Sequence, residues 1–235
     1  MKKYIIANWK SNKNLSEVAF WLNNFPNEPE SLQVLHGLEI ILAPPYPFLV
    51  SAQEIIEERH LPIKLAVQDL SAFGKGAYTG EVSAFNLQDL DIQYAILGHS
   101  ERRRFLKESD QLIADKIAEA LSWHIKPILC LDKPNFASQA RFLSRQILPK
   151  LFLAYEPVTA IGSGQAEDAH NLSLIKKELY SIYQVKTLIY GGSVNAANVG
   201  SFLQVCDGVL LGGASLELSD FVNLLFTASE SLIQL

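Results

Sequence analysis

Short runs of consecutive apolar residues alternate along the chain with longer stretches in which apolar side chains return every three or four positions. The short runs cover residues 4–8, 38–43, 64–68, 93–97, 126–131, 151–156, 187–190 and 208–211. They are continuous in Ile, Leu, Val and Ala and do not alternate with polar residues, the pattern of strands buried on both faces of a parallel sheet. The longer stretches predict helices over 15–25, 48–59, 87–90, 110–123, 136–147, 167–183, 196–203 and 218–232. In the 110–123 segment Leu112, Ile113, Ile117, Ala120 and Leu121 share one face while Asp115, Lys116 and Glu119 fall elsewhere, and Ser109 is placed as the N-cap.

The first and eighth runs end at Asn8 and Leu211, 203 residues apart, so the seven intervals average about 29 residues, a normal βα length. No Pro-rich or Gly/Ser-rich linker interrupts the series; Pro44-Pro45, Gly98, Gly191-Gly192 and Gly212-Gly213 sit at strand exits instead. Eight uninterrupted βα units predict an α/β fold, a single closed (β/α)8 barrel domain over residues 1–235, in preference to an open doubly wound sheet.

Composition narrows the setting. With 49% hydrophobic and 19% charged residues the chain can bury a sizeable core, which excludes a disordered class. A net charge of −5 gives no basic footprint for nucleic acid, so a phosphate ligand needs local positive charge. Cys130 and Cys206 each lie inside an apolar run, which fits reduced buried thiols and a cytoplasmic location. The apolar run after Lys2 and Lys3 is too short for a signal peptide, and no stretch approaches the ~18 apolar residues of a membrane span. Neither a membrane nor a nucleic acid is an expected partner.

In such a barrel the loops after the strands build the site. The first strand leads into Asn8-Trp9-Lys10, where Lys10 sets a permanent cation at the mouth; an anionic substrate and plain solvent fit that position equally well. The fourth leads into Gly98-His99-Ser100-Glu101-Arg102-Arg103, and His99 is the only one of five histidines at a strand exit. His36, His60, His124 and His170 have no paired metal-ligand spacing and read as surface or loop residues. The sixth run ends at Glu156, followed by a loop of small residues with Gly162 and Gly164 near its far end, which suits a lid. A carboxylate there is either a reactive group or half of a structural ion pair with an arginine, because a buried charge is costly unless paired. The last two exits carry Gly191-Gly192-Ser193 and Gly212-Gly213, which offer bare backbone N–H groups at the start of a helix, where these barrels cradle phosphate. Tight turns needing positive φ are the other reading of those glycines.

Competing motifs fail. Gly162-Ser163-Gly164 lacks the third glycine of a dinucleotide fingerprint, and Gly74-Lys75-Gly76 lacks the remainder of a P-loop. Nucleophile elbows, HExxH and CxxC are absent, so no metal or other cofactor is expected. One carboxylate, one imidazole, one ammonium and a phosphate cradle suit proton transfer on a small phosphorylated carbonyl compound.

These residues resemble those of the triosephosphate isomerase family. The likeness runs in order through Asn8-Trp9-Lys10, Gln68-Asp69, Gly76-Ala77-Tyr78-Thr79-Gly80-Glu81, Gly98-His99-Ser100-Glu101-Arg102-Arg103, Ala154-Tyr155-Glu156-Pro157-Val158, Ala160-Ile161-Gly162, Tyr190-Gly191-Gly192-Ser193 and Gly212-Gly213-Ala214-Ser215-Leu216. It implies a TIM barrel that interconverts D-glyceraldehyde 3-phosphate and dihydroxyacetone phosphate through an enediolate, in glycolysis and gluconeogenesis, with no cofactor. That family is itself a standard worked example of acid–base chemistry tuned by its surroundings. By resemblance Glu156 is the base, His99 the electrophile acting from its neutral form at a helix N-terminus near Ser100, and Lys10 the counter-charge. Asn8 and Lys10 would bind substrate, and Gly162, Ser193, Gly212 and Gly213 would donate N–H groups to its phosphate. Glu101 either orients Lys10 or assists proton transfer. Residues 157–166 would form the lid that holds the enediolate until it is reprotonated. Residues 73–81 resemble the family's interdigitating loop, in which Thr79 reaches the partner's site, so a homodimer is implied.

Three departures stand out. Thr159 occupies the place of a usual Trp and Lys133 that of a usual Glu, residues that normally touch each other, so other contacts are expected to hold the closed lid. The stretch between Cys130 and Glu156 is also shorter than usual. A different phosphate-binding barrel enzyme would share the cradle but not the pairing of Glu156 with His99, and a catalytically silent scaffold would not be expected to keep Glu156, His99 and Lys10 together.

Overall fold

The computed structural model describes residues 2–157 and 168–233. Parallel strands β1 (Lys3–Asn8), β2 (Leu38–Ala43), β3 (Ile63–Val67), β4 (Ile92–Leu97), β5 (Lys126–Leu131), β6 (Phe152–Tyr155), β7 (Thr187–Tyr190) and β8 (Gly208–Leu211) pair in sequence order. β8 returns to β1 with Val209 opposite Ile5, closing the barrel. Each predicted run is a strand, with ends displaced by no more than one residue.

Closure explains why the runs are continuous. Successive side chains on a strand face opposite ways. Ile6, Ile41, Ile96, Ile128, Ala154, Ile189 and Leu210 pack together in one cluster inside the barrel. Their sequence neighbours Ile5, Leu42, Leu97, Leu129, Leu153, Leu188 and Val209 pack in a second cluster under the helices. The same two-residue register carries to the strand ends and just past them. Asn8 follows Ile6, Glu156 follows Ala154, Gly191 follows Ile189 and Gly212 follows Leu210, so all four arrive at the C-terminal mouth in inward register.

The outer layer contains α1 (Leu15–Asn23), α2 (Pro29–Val34), α3 (Leu49–Glu58), α4 (Ser100–Phe105), α5 (Asp110–Ser122), α6 (Phe136–Ala140), α7 (Ala169–Tyr183), α8 (Val199–Val205) and α9 (Leu218–Ile233). Ser109 caps α5 by accepting from the Leu112 N–H, as its position predicts. Three predicted helices change. The 136–147 segment is α-helical only to Ala140; beyond it Arg141, Phe142 and Leu143 donate three residues back. Ala140 and Leu143 are spaced by three, which the tighter turn aligns as well as an α-helix does, and Pro149 prevents an α-helix from re-forming downstream. The 87–90 helix is instead a 3-10 turn over Ala84–Leu87, set earlier by a capping box between Ser83 and Asn86. The 196–203 helix starts at Val199, because Asn195 and Asn198 bond to the backbone of the preceding turn. The short α2, opened by Pro29, was not evident from the apolar pattern.

Candidate active site

At the exit of β1 the Asn8 Oδ1 accepts the Lys10 N–H at 3.0 Å, and Lys10 sits in the left-handed region at φ 52°. Residues other than glycine rarely stay there without support. Support comes from both sides: the fully buried Trp9 donates its indole N–H to the Ser215 carbonyl at 3.1 Å, and Gln68 Nε2 donates to the carbonyls of Lys10 and Ala43 at 2.9 Å. So held, Lys10 points its Nζ at Glu101 Oε1, 2.6 Å away.

After β4, Gly98 at φ 70° turns the chain into α4. His99 caps this helix, its Nδ1 accepting the Glu101 N–H at 3.2 Å. With Nδ1 used as an acceptor, the neutral ring carries its proton on Nε2. That Nε2 lies 3.2 Å from Glu156 Oε1, while Glu156 Oε2 accepts the Ser100 N–H at 3.1 Å. The Glu156 carboxylate and the His99 imidazole are therefore aligned by one helical turn. Glu101 faces Lys10; its other oxygen is 3.6 Å from His99 Nδ1, too far for a hydrogen bond.

Glu156 is 2% exposed, and among the described residues no Lys or Arg pairs with it. The structural alternative, an arginine partner, is thus not what the fold provides. The Cys130 thiol lies against it as a hydrogen-bond partner. Burial and then the neighbouring Glu156 charge push that thiol well above its ordinary range, so it is a donor here and not a nucleophile. Cys130 and Cys206 are both free and buried.

The glycines after β7 and β8 are not there for left-handed turns, since none of Gly191, Gly192, Gly212 or Gly213 has positive φ. They provide room. A Cβ on Gly191 would stand 2.8 Å from Glu156 Cγ, one on Gly192 would collide with the Tyr190 hydroxyl, and one on Gly212 would stand 3.2 Å from Lys10 Cε. Nor does a long helix start at either exit: Gly213–Ser215 is a single 3-10 turn, and α8 begins only at Val199. Backbone and side chains together enclose a cavity of about 280 Å³, with Asn8, Lys10, His99 and Glu156 on one side and residues 191–195 and 212–214 on the other.

Of the predicted site residues, Asn8, Lys10, His99, Glu156, Ser193, Gly212 and Gly213 meet at this cavity. Gly162, Thr159 and the predicted lid beyond Pro157 lie outside the described residues. Thr79 stands on the exposed 73–81 loop, which is stiffened by stacked Phe73 and Tyr78 rings 4.5 Å apart. His36, His60, His124 and His170 are all exposed. Sequence reasoning did not single out the Ser100 amide, the Gln68 grip on Lys10 or the room left by Gly191; the first two act on or through backbone, which side-chain identity does not advertise. Among the described residues no group of three or more His, Cys, Asp or Glu is placed to hold a metal.

A family model described as "Triosephosphate isomerase" matches residues 3–228. The chain belongs to the triosephosphate isomerase family. Among its relatives, the "Triosephosphate isomerase" of Thermus thermophilus is 38% identical, with 96% of this chain and 98% of that protein covered. That of Mesomycoplasma hyopneumoniae strain 7448 is 34% identical over 96% and 99% of the two chains. That of Dehalococcoides mccartyi is 38% identical over 95% and 96%. Of the residues through which the sequence resembles triosephosphate isomerases, Asn8, Lys10, His99, Glu156, Ser193 and Gly212 are among those that line the cavity.

Proposed function

We infer that the protein interconverts D-glyceraldehyde 3-phosphate and dihydroxyacetone phosphate by proton transfer, as a triosephosphate isomerase serving glycolysis and gluconeogenesis. The observation that carries this reading is a buried carboxylate, Glu156, with no Lys or Arg partner among the described residues, facing the His99 imidazole across 3.2 Å in a cavity that Lys10 also enters. Glu156 removes the proton from one carbon of the triose and returns it to the next. The electron pair moves onto the carbonyl oxygen, where His99 Nε2–H and the Lys10 ammonium meet the developing negative charge. Asn8 fixes the Lys10 backbone, and Glu101 aims its Nζ. The backbone N–H groups of Ser193, Gly212 and Gly213, with Gly162, receive the phosphate, and the segment after Pro157 serves as the lid. No step in this scheme needs a cofactor or metal.

A homodimer fits the same reading. Beside Lys10 lies a groove of about 310 Å³ lined by Ser11, Gln68, Glu101, Arg102, Phe105 and Leu106, and the last two are 66% and 60% exposed. A partner's 73–81 loop, bringing Thr79, would cover those apolar side chains and press against the Lys10 support. Supported by a family match across nearly all of the chain, residues 1–235 form one barrel domain. The two free buried thiols suit a reducing compartment such as the cytoplasm, and no described helix is long and apolar enough to cross a membrane.

A coupled assay of glyceraldehyde 3-phosphate conversion tests the reaction, and gel filtration tests the assembly. Turnover, and binding of a phosphorylated hydroxamate far tighter than of substrate, are expected. Equal affinity for the hydroxamate and inorganic phosphate, with no turnover, would instead favour a silent scaffold. An active monomer would remove the dimer.

A further inference from the structure

Arg103 lies on α4, three residues beyond the amide that holds Glu156, yet it is absent from the lining of the substrate cavity. Its guanidinium is committed in four directions. Nε donates to the Gly98 carbonyl at 2.8 Å, Nη1 to Asp110 Oδ1 at 2.7 Å, and Nη2 to Gln139 Oε1 at 2.9 Å, with the Cys130 carbonyl at 3.4 Å. Gln139, fully buried on the shortened α6, closes the set by donating its Nε2 to the Asp110 carbonyl at 2.9 Å.

What these contacts join is specific. Gly98 immediately precedes His99. Cys130 touches Glu156 through its thiol. The first turn of α4 supplies the two amides that hold His99 Nδ1 and Glu156 Oε2. One planar fork therefore ties the ends of β4 and β5 to the helix that aligns base and imidazole. Gly98 makes room for it, since a Cβ there would lie 3.0 Å from Arg103 Nη2.

We propose that Arg103, braced by Gln139, is a positioning residue for the proton transfer: it sets the distance between His99 and Glu156 through the Gly98 and Cys130 carbonyls. This rests on the isomerase reading above. A lysine cannot replace it, because a single ammonium lacks the planar fork that reaches both carbonyls and both side-chain acceptors. Arg103 also lines a neighbouring cavity of about 550 Å³ that shares Glu156 with the substrate cavity, which leaves space beside its guanidinium for a small cation.

The test compares wild type, Arg103→Ala, Arg103→Lys and Gln139→Leu in steady-state kinetics, with and without guanidinium ion at a non-denaturing concentration. Arg103→Ala is expected to lose roughly 10- to 100-fold in kcat, the size of effect that an ångström-scale misplacement produces. KM should stay within about threefold, because no substrate contact is lost. Guanidinium should restore several-fold of the kcat of Arg103→Ala while tetramethylammonium does not, Arg103→Lys should remain slow, and Gln139→Leu should show a smaller loss of the same kind. If Arg103→Ala does not fold, Gln139→Leu carries the kcat-against-KM comparison. A fall in thermal stability with kcat unchanged, or a change confined to KM, would overturn the positioning role. An inactive wild type would instead overturn the reaction itself.

Discussion

Glu39 and Glu156 both sit in inward register, one two residues before Ile41 and the other two residues after Ala154, and both are buried, at 8% and 2% exposure. Their surroundings are opposite. At the N-terminal end Glu39 accepts from Lys2 and Lys64, each at 3.0 Å, and from the Tyr94 hydroxyl. Burial alone would raise its carboxyl, but the hydrogen bonds from Tyr94, Lys64 and Lys2 outweigh that and leave it below the usual carboxylate range. At the C-terminal end, among the described residues, Glu156 meets a backbone amide, an imidazole and a thiol, with no ammonium or guanidinium against it. The same residue type at the two ends of one barrel thus does two jobs. Surrounded by two ammonium groups and a hydroxyl, it closes the barrel floor; with no Lys or Arg against it among the described residues, it is the carboxylate proposed above as the base.

Replacing a carboxylate or one of its neighbours should sharpen this contrast. The largest effect is expected from His99→Ala, which removes the proton donor facing Glu156 and should lower kcat by at least ~10²-fold with little change in unfolding temperature. Next is Gly191→Ala. Its backbone tolerates an L-residue, but the new methyl stands 2.8 Å from Glu156 Cγ and must displace the base, so roughly 10- to 100-fold of kcat should go while KM moves less. The smallest effect belongs to the floor. Because Lys2 and Lys64 are 58% and 37% exposed and can re-solvate, Glu39→Gln should lose only about 1–3 kcal/mol of stability and leave turnover near wild type. The pH dependence has a defined sign. A carboxyl held lower in the folded state than in the unfolded chain stabilises above the unfolded value, near pH ~4.3, and ceases to do so as pH falls through the folded one. The stability gap between wild type and Glu39→Gln should therefore shrink on acidification, and a gap that widens would break the comparison.

The contrast also marks what could be read beforehand. Strands were legible because a parallel barrel buries both faces, so Ile5 and Ile6, or Leu153 and Ala154, are apolar for two separate clusters. Glu156 was legible for the same reason, as a charge ending such a run. Helix extents were less so where the spacing served more than one geometry, as at Ala140 and Leu143, or where Ser83 and Asn86 started a turn early. The environment of Glu156 was not legible. It depends on the Ser100 amide, on space beside Gly191 and on a Lys10 backbone held at positive φ by Asn8 and Gln68, none of which follows from residue type alone.

The most direct test of the division between the two ends is a crossed comparison of Glu156→Gln and Glu39→Gln, each measured for glyceraldehyde 3-phosphate turnover and for thermal unfolding. Glu156→Gln is expected to lose at least ~10²-fold in kcat while unfolding close to wild type, and Glu39→Gln to do the reverse. Near-wild-type turnover in Glu156→Gln would contradict the account, as would a loss of kcat in Glu39→Gln as large as its partner's.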